Sequence, residues 1–314
     1  MIAIARTKPS WLRVRLPQGE RYQSLKATLR GLNLHTVCEE ARCPNIGECW
    51  EQGTATIMIL GDTCTRGCRF CAVTSGNPKG VVDPHEPEHV AQALAQLDLA
   101  YVVITMVDRD DLHDGGADHV ARTVRETKSR CPDLLVETLV GDFAGVRRDV
   151  ETVVIEGRPD VFAHNVEVVP ELQRVMRDAR CSWERSVDVL RWGRAAGATV
   201  IKTSLMVGCG ESDEQVLGAM KRLADDGVDV LTIGQYLRPT LKHAPVVRYV
   251  SPEQFDAYRD AGYRFGFRFV ASGPLVRSSY RAAEAFLKGI LRGVGSFDDA
   301  YGKKSKARIL NVVR

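Results

Sequence analysis

A chain of 314 residues with 44% hydrophobic composition and a formal charge of +3 can bury one large core and is, as a whole, no polyanion binder, which argues against nucleic acid as its partner. No stretch reaches the ~18 apolar residues of a membrane span, and Met1–Ala5 is too short for a signal-peptide core. Nine cysteines, an odd number, fit a reducing cytoplasm better than a disulfide framework. The charge is unevenly placed. Residues 1–30 carry seven Lys/Arg against Glu20 alone, and the tail from Gly302 adds Lys303, Lys304, Lys306, Arg308 and Arg314 with no acid. Such ends suit an acidic protein partner, or are simply solvated termini.

Residues 1–53 read as an extension rich in Arg, Pro and turns, with a helix expected around Tyr22–Arg30 and three cysteines at Cys38-x4-Cys43-x5-Cys49. A strand over 54–60 and a turn at Gly61-Asp62 then lead into Cys64-Thr-Arg-Gly-Cys68-Arg-Phe-Cys71. Three thiols in so short a loop can converge on one metal centre, and soft thiolates suit zinc or iron–sulfur clusters. A structural zinc site wants four closed ligands, usually from paired arms, and no fourth cysteine lies near this loop. Three thiolates on a four-iron cube leave one iron open, and that incomplete set points to chemistry. Zinc stays an alternative, above all for the first triplet completed by a histidine such as His35. So does chance clustering of core cysteines.

From residue 54 onward short apolar runs alternate with amphipathic stretches. Strands are expected at 54–60, 101–107, 135–140, 160–166, 199–207 and 229–236, with helices near 86–97, 115–130, 145–156, 169–176, 183–196 and 213–226. Ser212-Asp-Glu-Gln215 reads as a capping box. Six strand–helix units in succession predict an α/β fold, either a parallel βα barrel or a doubly wound sheet. Polar and glycine-rich residues follow the strands: Asp108–Asp111, His164–Glu167, Gly208–Glu211 and Gly234-Gln235. That is the rim where such barrels place active sites. Past a helix start at Ser251-Pro-Glu-Gln-Phe, Phe267–Ser272 leads into Arg277-Ser-Ser-Tyr280, a last helix to about Arg292, and a mobile tail.

The C-x3-C-x2-C loop resembles the signature of radical S-adenosylmethionine (SAM) enzymes. With both cysteine triplets and Arg277–Tyr280 the chain resembles the lipoyl synthase family. The likeness runs from about Pro9 to Ala283, through Leu34–Asn45, Gly61–Arg66, Asp108–Leu112, Ala163–Glu167 and Gln235–Pro239. It implies a partial (β/α)6 TIM-like barrel over 54–266, with the cysteine-bearing extension 1–53 before it and a closing segment 267–314 after it. It implies two 4Fe-4S clusters: one with SAM on Cys64, Cys68 and Cys71, the other, auxiliary, on Cys38, Cys43, Cys49 and Ser279. Asp108, Asn165, Glu167, Gly208 and Glu211 are the implied SAM contacts, and Ser204–Glu211 resembles the strand motif that packs along the adenine. The implied reaction inserts two sulfur atoms at C6 and C8 of octanoyl-lysine on lipoyl-domain proteins, namely 2-oxoacid dehydrogenase E2 subunits and the glycine cleavage H protein. A ferredoxin or flavodoxin would supply electrons, and a carrier protein would rebuild the auxiliary cluster.

An ordinary N-cap is the bland reading of Ser279, and a satisfied rim histidine that of His164. Three positions depart from the family's usual residues: Met106 for a small residue, Cys209 for leucine and Val168 for threonine. Cys131, Cys181 and Cys209, outside the triplets, are expected to pack as small hydrophobes. Two rivals remain: a sulfur-inserting relative acting on another acyl group, and a zinc-bearing scaffold with a basic arm for nucleic acid.

Overall fold

The computed structural model describes residues 8–12, 20–32, 34–40, 43, 45–51, 56–97 and 99–279. The expected final helix and basic tail lie outside them. The extension contributes α1 (Glu20–Gly31), a two-residue strand β1 (His35–Thr36), and two short helices, α2 (Val37–Glu40) and α3 (Ile46–Glu51). β2 (Thr56–Ile59) follows, then the small strands β3 (Thr63–Cys64) and β4 (Thr74–Ser75), which pair with each other and draw the cysteine loop closed at its base. The alternating body is α4 (Glu86–Gln96), β5 (Tyr101–Met106), α5 (Ala117–Arg130), β6 (Leu135–Leu139), α6 (Arg147–Thr152), β7 (Val161–Ala163), α7 (Gln173–Met176), α8 (Trp183–Ala195), β8 (Ile201–Val207), α9 (Asp213–Asp225), β9 (Val230–Gln235), α10 (Pro252–Phe265) and β10 (Phe269–Gly273).

Eight strands form one sheet in the order β1-β2-β5-β6-β7-β8-β9-β10. β1 is antiparallel to β2, and every other pair is parallel. Among the described residues the edge strands β1 and β10 do not pair with each other, so the sheet is an open, partial barrel. The six expected strands are β2 and β5 to β9. Phe269–Gly273 adds a seventh parallel strand, in register with Val230–Gly234, so the sheet takes in the first residues after 266. Two expected helices are interrupted. The stretch 169–176 is a 3-10 turn at Pro170–Leu172 followed by α7. α6 passes into a π-helical turn over Val153–Gly157 and stops where Arg158 takes φ 55 before Pro159. The capping box is present at Ser212 and Gln215. Among the described residues no helix is long and apolar enough to cross a membrane.

Because both faces of a parallel sheet are covered, its strands are almost continuously buried and rich in β-branched residues, as in Tyr-Val-Val-Ile-Thr-Met of β5. Alternate residues separate two cores. Ile104, Val136, Phe162, Leu205, Leu231 and Val270 face the helices. Tyr101, Val103, Val161, Val230, Phe269 and Ala271 fill the lumen. On the lumen side Lys202 Nζ lies 2.7 Å from both carboxylate oxygens of Glu137, to which Tyr101 also donates. The pair is wholly buried, so each charge depends on the other for solvation.

β7 ends in a second buried network. Arg177 Nη1 donates to Ser186 Oγ at 2.7 Å, leaving the hydroxyl hydrogen for His164 Nε2 at 3.0 Å. Nδ1–H then donates to the Val140 carbonyl at 2.8 Å. Each group has one role, and together they fix His164 as the neutral Nδ1–H tautomer. Burial, with Arg177 beside it, pushes the imidazole down to about 4. The satisfied rim histidine is the reading that this network supports.

Two outcomes are expected. Lys202→Met leaves the buried Glu137 carboxylate without its cation, with Tyr101 alone still donating to it, and should cost about 3–5 kcal/mol in chemical denaturation. His164 holds fewer protons folded than unfolded, so its contribution is complete above pH 6.5 and is lost as pH falls towards about 4. His164→Asn, which keeps a donor for Val140, should be less stable at pH 7 and show a shallower fall in stability over that window.

Candidate active site at the open rim

The cysteine loop leaves β2 through two left-handed residues, Leu60 (φ 67) and Gly61 (φ 87), and lies across the strand ends. Arg66, only 3% exposed, fastens it there. Its Nε and Nη2 donate to the two oxygens of Asp110 at 3.0 and 2.8 Å, and Nη2 also reaches Asp142 at 2.6 Å. These carboxylates follow β5 and β6. Arg180 adds a second strap, donating to Asp110 at 3.1 Å, to the Thr65 carbonyl at 2.6 Å and to Asp178 at 2.8 Å, while Gly67 N donates to Asp178 at 2.9 Å. On the far side Ala244 N donates to Arg69 O, and His243 Nε2 lies 2.9 Å from Cys71 O. Phe70 packs with Val168, Met176, Cys209 and Tyr236.

Cys64, Cys68 and Cys71 are free and half-buried. Backbone amides address two of the sulfurs: Arg66 N donates to Cys64 Sγ at 3.4 Å and Asp178 N to Cys68 Sγ at 3.3 Å. Such N–H donors to sulfur accompany iron–sulfur ligation, so the donor set fits a cluster. Burial pushes the Cys71 thiol up to about 11, and a metal would displace its proton on binding. Among the described residues no three His, Cys, Asp or Glu side chains converge on a point that one metal ion could occupy.

Around the loop stand the ends of three strands. Asp108, after β5, accepts Thr65 N and Oγ1 at 2.9 Å on its carbonyl. Burial raises its carboxyl to about 6, and its Oδ1 would lie 2.3 Å from a Cβ on Gly141. Glu167, after β7, takes φ 67, and burial raises its carboxyl against the lowering influence of Arg177 and Asn165 nearby. Its charge reaches Cys71, so Asp108, Asn165 and Glu167 do gather at the cysteine loop. Gly208 and Glu211 lie together in the turn after β8. Glu211 accepts Gly208 N at 2.6 Å and Cys209 N at 2.9 Å, bracing the turn after β8. A Cβ on Gly208 would come within 2.1 Å of Gln235 Nε2, so the close approach there is made by the protein itself. Cys131 and Cys209 pack as small hydrophobes.

Cys181 does not merely pack. It accepts Arg66 Nη1 at 3.4 Å, and the turn that carries it also places Asp178 N on Cys68 Sγ. Cys68 beside it, with Arg177 and Arg66 close by, holds its thiol below the usual range. The expectation of an inert hydrophobe is corrected here. Local sequence could not show that the turn at residues 178–181 folds back onto the loop. Arg66, Asp142, Arg177 and Ser186 were likewise missed as site residues, though Arg66 stood in plain view inside the cysteine motif.

The N-terminal triplet lies beside the chain's other end. Cys43 N donates to Cys38 O at 3.0 Å, and burial pushes the Cys38 thiol up to about 11 with Cys43 as neighbour. Cys49 belongs to α3. Asn45 Nδ2 donates to Leu275 O at 2.7 Å across 230 residues of sequence. Val276 packs into the lumen, where only a glycine fits opposite: a Cβ on Gly234 would sit 2.1 Å from Val276 O. Arg277 lies near Cys43, and Ser279 is half-buried in the turn that follows.

Comparison with known proteins bears on this arrangement. The family model of the radical SAM superfamily matches residues 58–223, and that of the N-terminal domain of lipoyl synthase matches residues 4–43. The lipoyl synthase of Sorangium cellulosum is 58% identical over 299 residues, covering 90% of this chain and 80% of that protein. That of Thermus thermophilus is 54% identical, covering 92% and 90%, and the mitochondrial lipoyl synthase of Rattus norvegicus is 54% identical, covering 90% and 77%. Among solved structures, the FeFe-hydrogenase maturase HydG from Carboxydothermus hydrogenoformans superposes with a TM-score of 0.55 at 14% identity, over 95% of this chain and 71% of that one. Methylornithine synthase gives 0.51 at 14%, over 82% and 79%. At that identity the structural likeness speaks to the fold, a partial barrel, while the sequence relatives speak to the family: the chain belongs to the lipoyl synthase family of the radical SAM superfamily.

Proposed function

We propose that Cys64, Cys68 and Cys71 hold the SAM-binding 4Fe-4S cluster, and that Cys38, Cys43, Cys49 and Ser279 hold the auxiliary one, in an enzyme that inserts two sulfur atoms at C6 and C8 of an octanoyl-lysine on a lipoyl-domain protein. The observation that carries the reading is the contact of Asn45 with Leu275. It ties the N-terminal triplet to the Arg277–Ser279 segment, while Val276 seats that segment in the barrel mouth. When bound, the first cluster supplies the electron that splits SAM into a hydrogen-abstracting radical, and the second supplies sulfide. The protein's own part is to orient and enclose. An unactivated methylene offers no acidic proton, so no side chain here needs to act as general base. Asp108, Asn165 and Glu167 line the rim beside the cysteine loop as SAM contacts. Gly208 and Glu211, in the turn after β8, are SAM contacts too, and the Cys209–Phe70–Tyr236 cluster forms an apolar wall next to them. A serine oxygen is a hard ligand on iron otherwise held by soft sulfur, which makes Ser279 the corner that releases most easily.

Three regions divide this work: an extension (1–53) carrying auxiliary ligands, a barrel (54–266) carrying SAM, and a closing segment (267–314) carrying Ser279. The substrates are octanoylated E2 subunits and the glycine cleavage H protein, and an open barrel side suits an acyl chain delivered on a folded domain. The electron donor is a ferredoxin or flavodoxin in the cytoplasm. Arg69, Arg174 and Lys242, exposed around the cysteine loop, suit an acidic partner of that kind. A carrier protein restores the auxiliary cluster between turnovers.

The test is an anaerobic single turnover of iron-reconstituted protein with SAM, a strong reductant and an octanoyl-lysyl peptide, read by mass spectrometry. Mono-thiolated and then lipoyl peptide should appear. Cys68→Ala should abolish SAM cleavage. Cys43→Ala should still cleave SAM but give no thiolated product, and lipoyl product from that variant would sink the assignment of the N-terminal triplet.

A further inference from the structure

Glu167 stands at the centre of a turn that a side chain rarely tolerates. Val168 N donates to Val166 O at 2.9 Å, closing three residues into a γ-turn, and Glu167 between them takes φ 67. With positive φ at its centre this is the rare, strained form, which a residue other than glycine keeps only where its surroundings impose it. Gln173, 4% exposed, imposes it from both sides. Its Nε2 donates to Val166 O at 2.9 Å and to Val168 O at 2.6 Å, while its Oε1 accepts Arg177 Nη1 at 3.2 Å. A guanidinium can only donate, so the amide has one orientation, with its NH2 on the turn. Met206 N donates to Glu167 O at 2.7 Å and Glu167 N to Ser204 O at 3.2 Å, which ties the centre of the turn to β8. α7 begins at Gln173 and ends on the cysteine loop, where Arg69 N donates to Met176 O at 2.8 Å. The same short helix therefore holds the turn at one end and the loop at the other.

We propose that Gln173 is a positioning residue whose amide clamps the carbonyls of Val166 and Val168, holds Glu167 in its left-handed conformation and so aims the Glu167 side chain at SAM. The proposal rests on Glu167 being a SAM contact. At an extended strand end the same residue would send its side chain to the other side of the backbone. Satisfying buried carbonyls does not by itself account for the clamp, since Val166 O already accepts Val168 N and the second bond to it is not needed for that purpose. What the amide adds is a fixed geometry at a strained residue. Because α7 grips the cysteine loop as well, Glu167 is set in place relative to that loop before SAM arrives, and a contact ordered in advance lowers the cost of binding.

The experiment is equilibrium dialysis of SAM against the reconstituted, oxidised full-length protein, with the rate of SAM cleavage measured separately after reduction. Gln173→Met keeps the length of the side chain and removes both donors. It should carry as much iron and sulfide as wild type and bind SAM about tenfold more weakly, the worth of about one hydrogen bond. At saturating SAM its cleavage rate should stay within about twofold of wild type, the split between KM and kcat that a lost binding contact produces. Glu167→Ala should also weaken binding. Gln173→Met/Glu167→Ala should then bind no more weakly than Glu167→Ala alone, because no side chain is left to aim, whereas independent packing damage would multiply the two losses. Gln173→Glu keeps an acceptor for Arg177 but turns oxygen towards both carbonyls, so it should bind no better than Gln173→Met, and it takes that variant's place if Gln173→Met does not fold. Wild-type affinity in Gln173→Met, wild-type affinity in Gln173→Glu, or losses that multiply in the double variant overturn the clamp. Wild-type affinity in Glu167→Ala overturns the SAM contact first, and the clamp with it.

Discussion

The site depends on one buried cation. Arg66 sits in the middle of the cysteine loop and gives its donors to Asp110, Asp142 and Cys181. A guanidinium is costly to take out of water unless its donors are matched, and the planar fork of arginine meets the Asp110 carboxylate on two oxygens at once. Asp110 and Asp142 follow neighbouring parallel strands, so the charge match holds the loop at one place on the rim. The half-buried thiols owe their positions to that constraint more than to any packing of their own.

The interior follows the same economy of polar groups. Glu137, Lys202 and Tyr101 satisfy one another below the site, and Arg177, Ser186 and His164 do so beside it. The first joins β5, β6 and β8 across the lumen, and the second ties the end of β7 to α7 and α8, which gives a barrel that never closes its hydrogen-bond ring a definite shape. At the mouth the closing is done by chain ends instead. Val276 enters the lumen against Gly234, and Asn45 holds the carbonyl before it. The residues proposed for the auxiliary cluster therefore come from opposite ends of the chain, and their meeting depends on a barrel folded between them.

Much of this could be read beforehand. Six strands and their helices are visible because a parallel sheet covered on both faces writes long apolar runs, and helix starts carry their caps. What could not be read lies where two distant segments touch. Phe267–Ser272 gave no sign that it would extend the sheet, because a single short apolar run does not say which strand it pairs with. Nor does local sequence show that Gln235 and Arg248 close in on Gly208. By sequence Cys181 reads as filler, since nothing near it marks it as an acceptor for Arg66.

The sequence alone determined the chemistry on offer. Thiols at two spacings, a late Arg-Ser-Ser-Tyr and alternating strands and helices name the donor atoms and the scaffold, because ligand type and strand period are local properties of the chain. Only the tertiary structure decided which polar groups are spent inside the protein and which remain at the rim. Glu211 braces a turn, His164 is locked as a neutral donor, and Arg66 is committed to carboxylates from other strands. Those outcomes are set by distances between residues far apart in sequence, and by the need to satisfy every buried charge and hydrogen-bonding group at once.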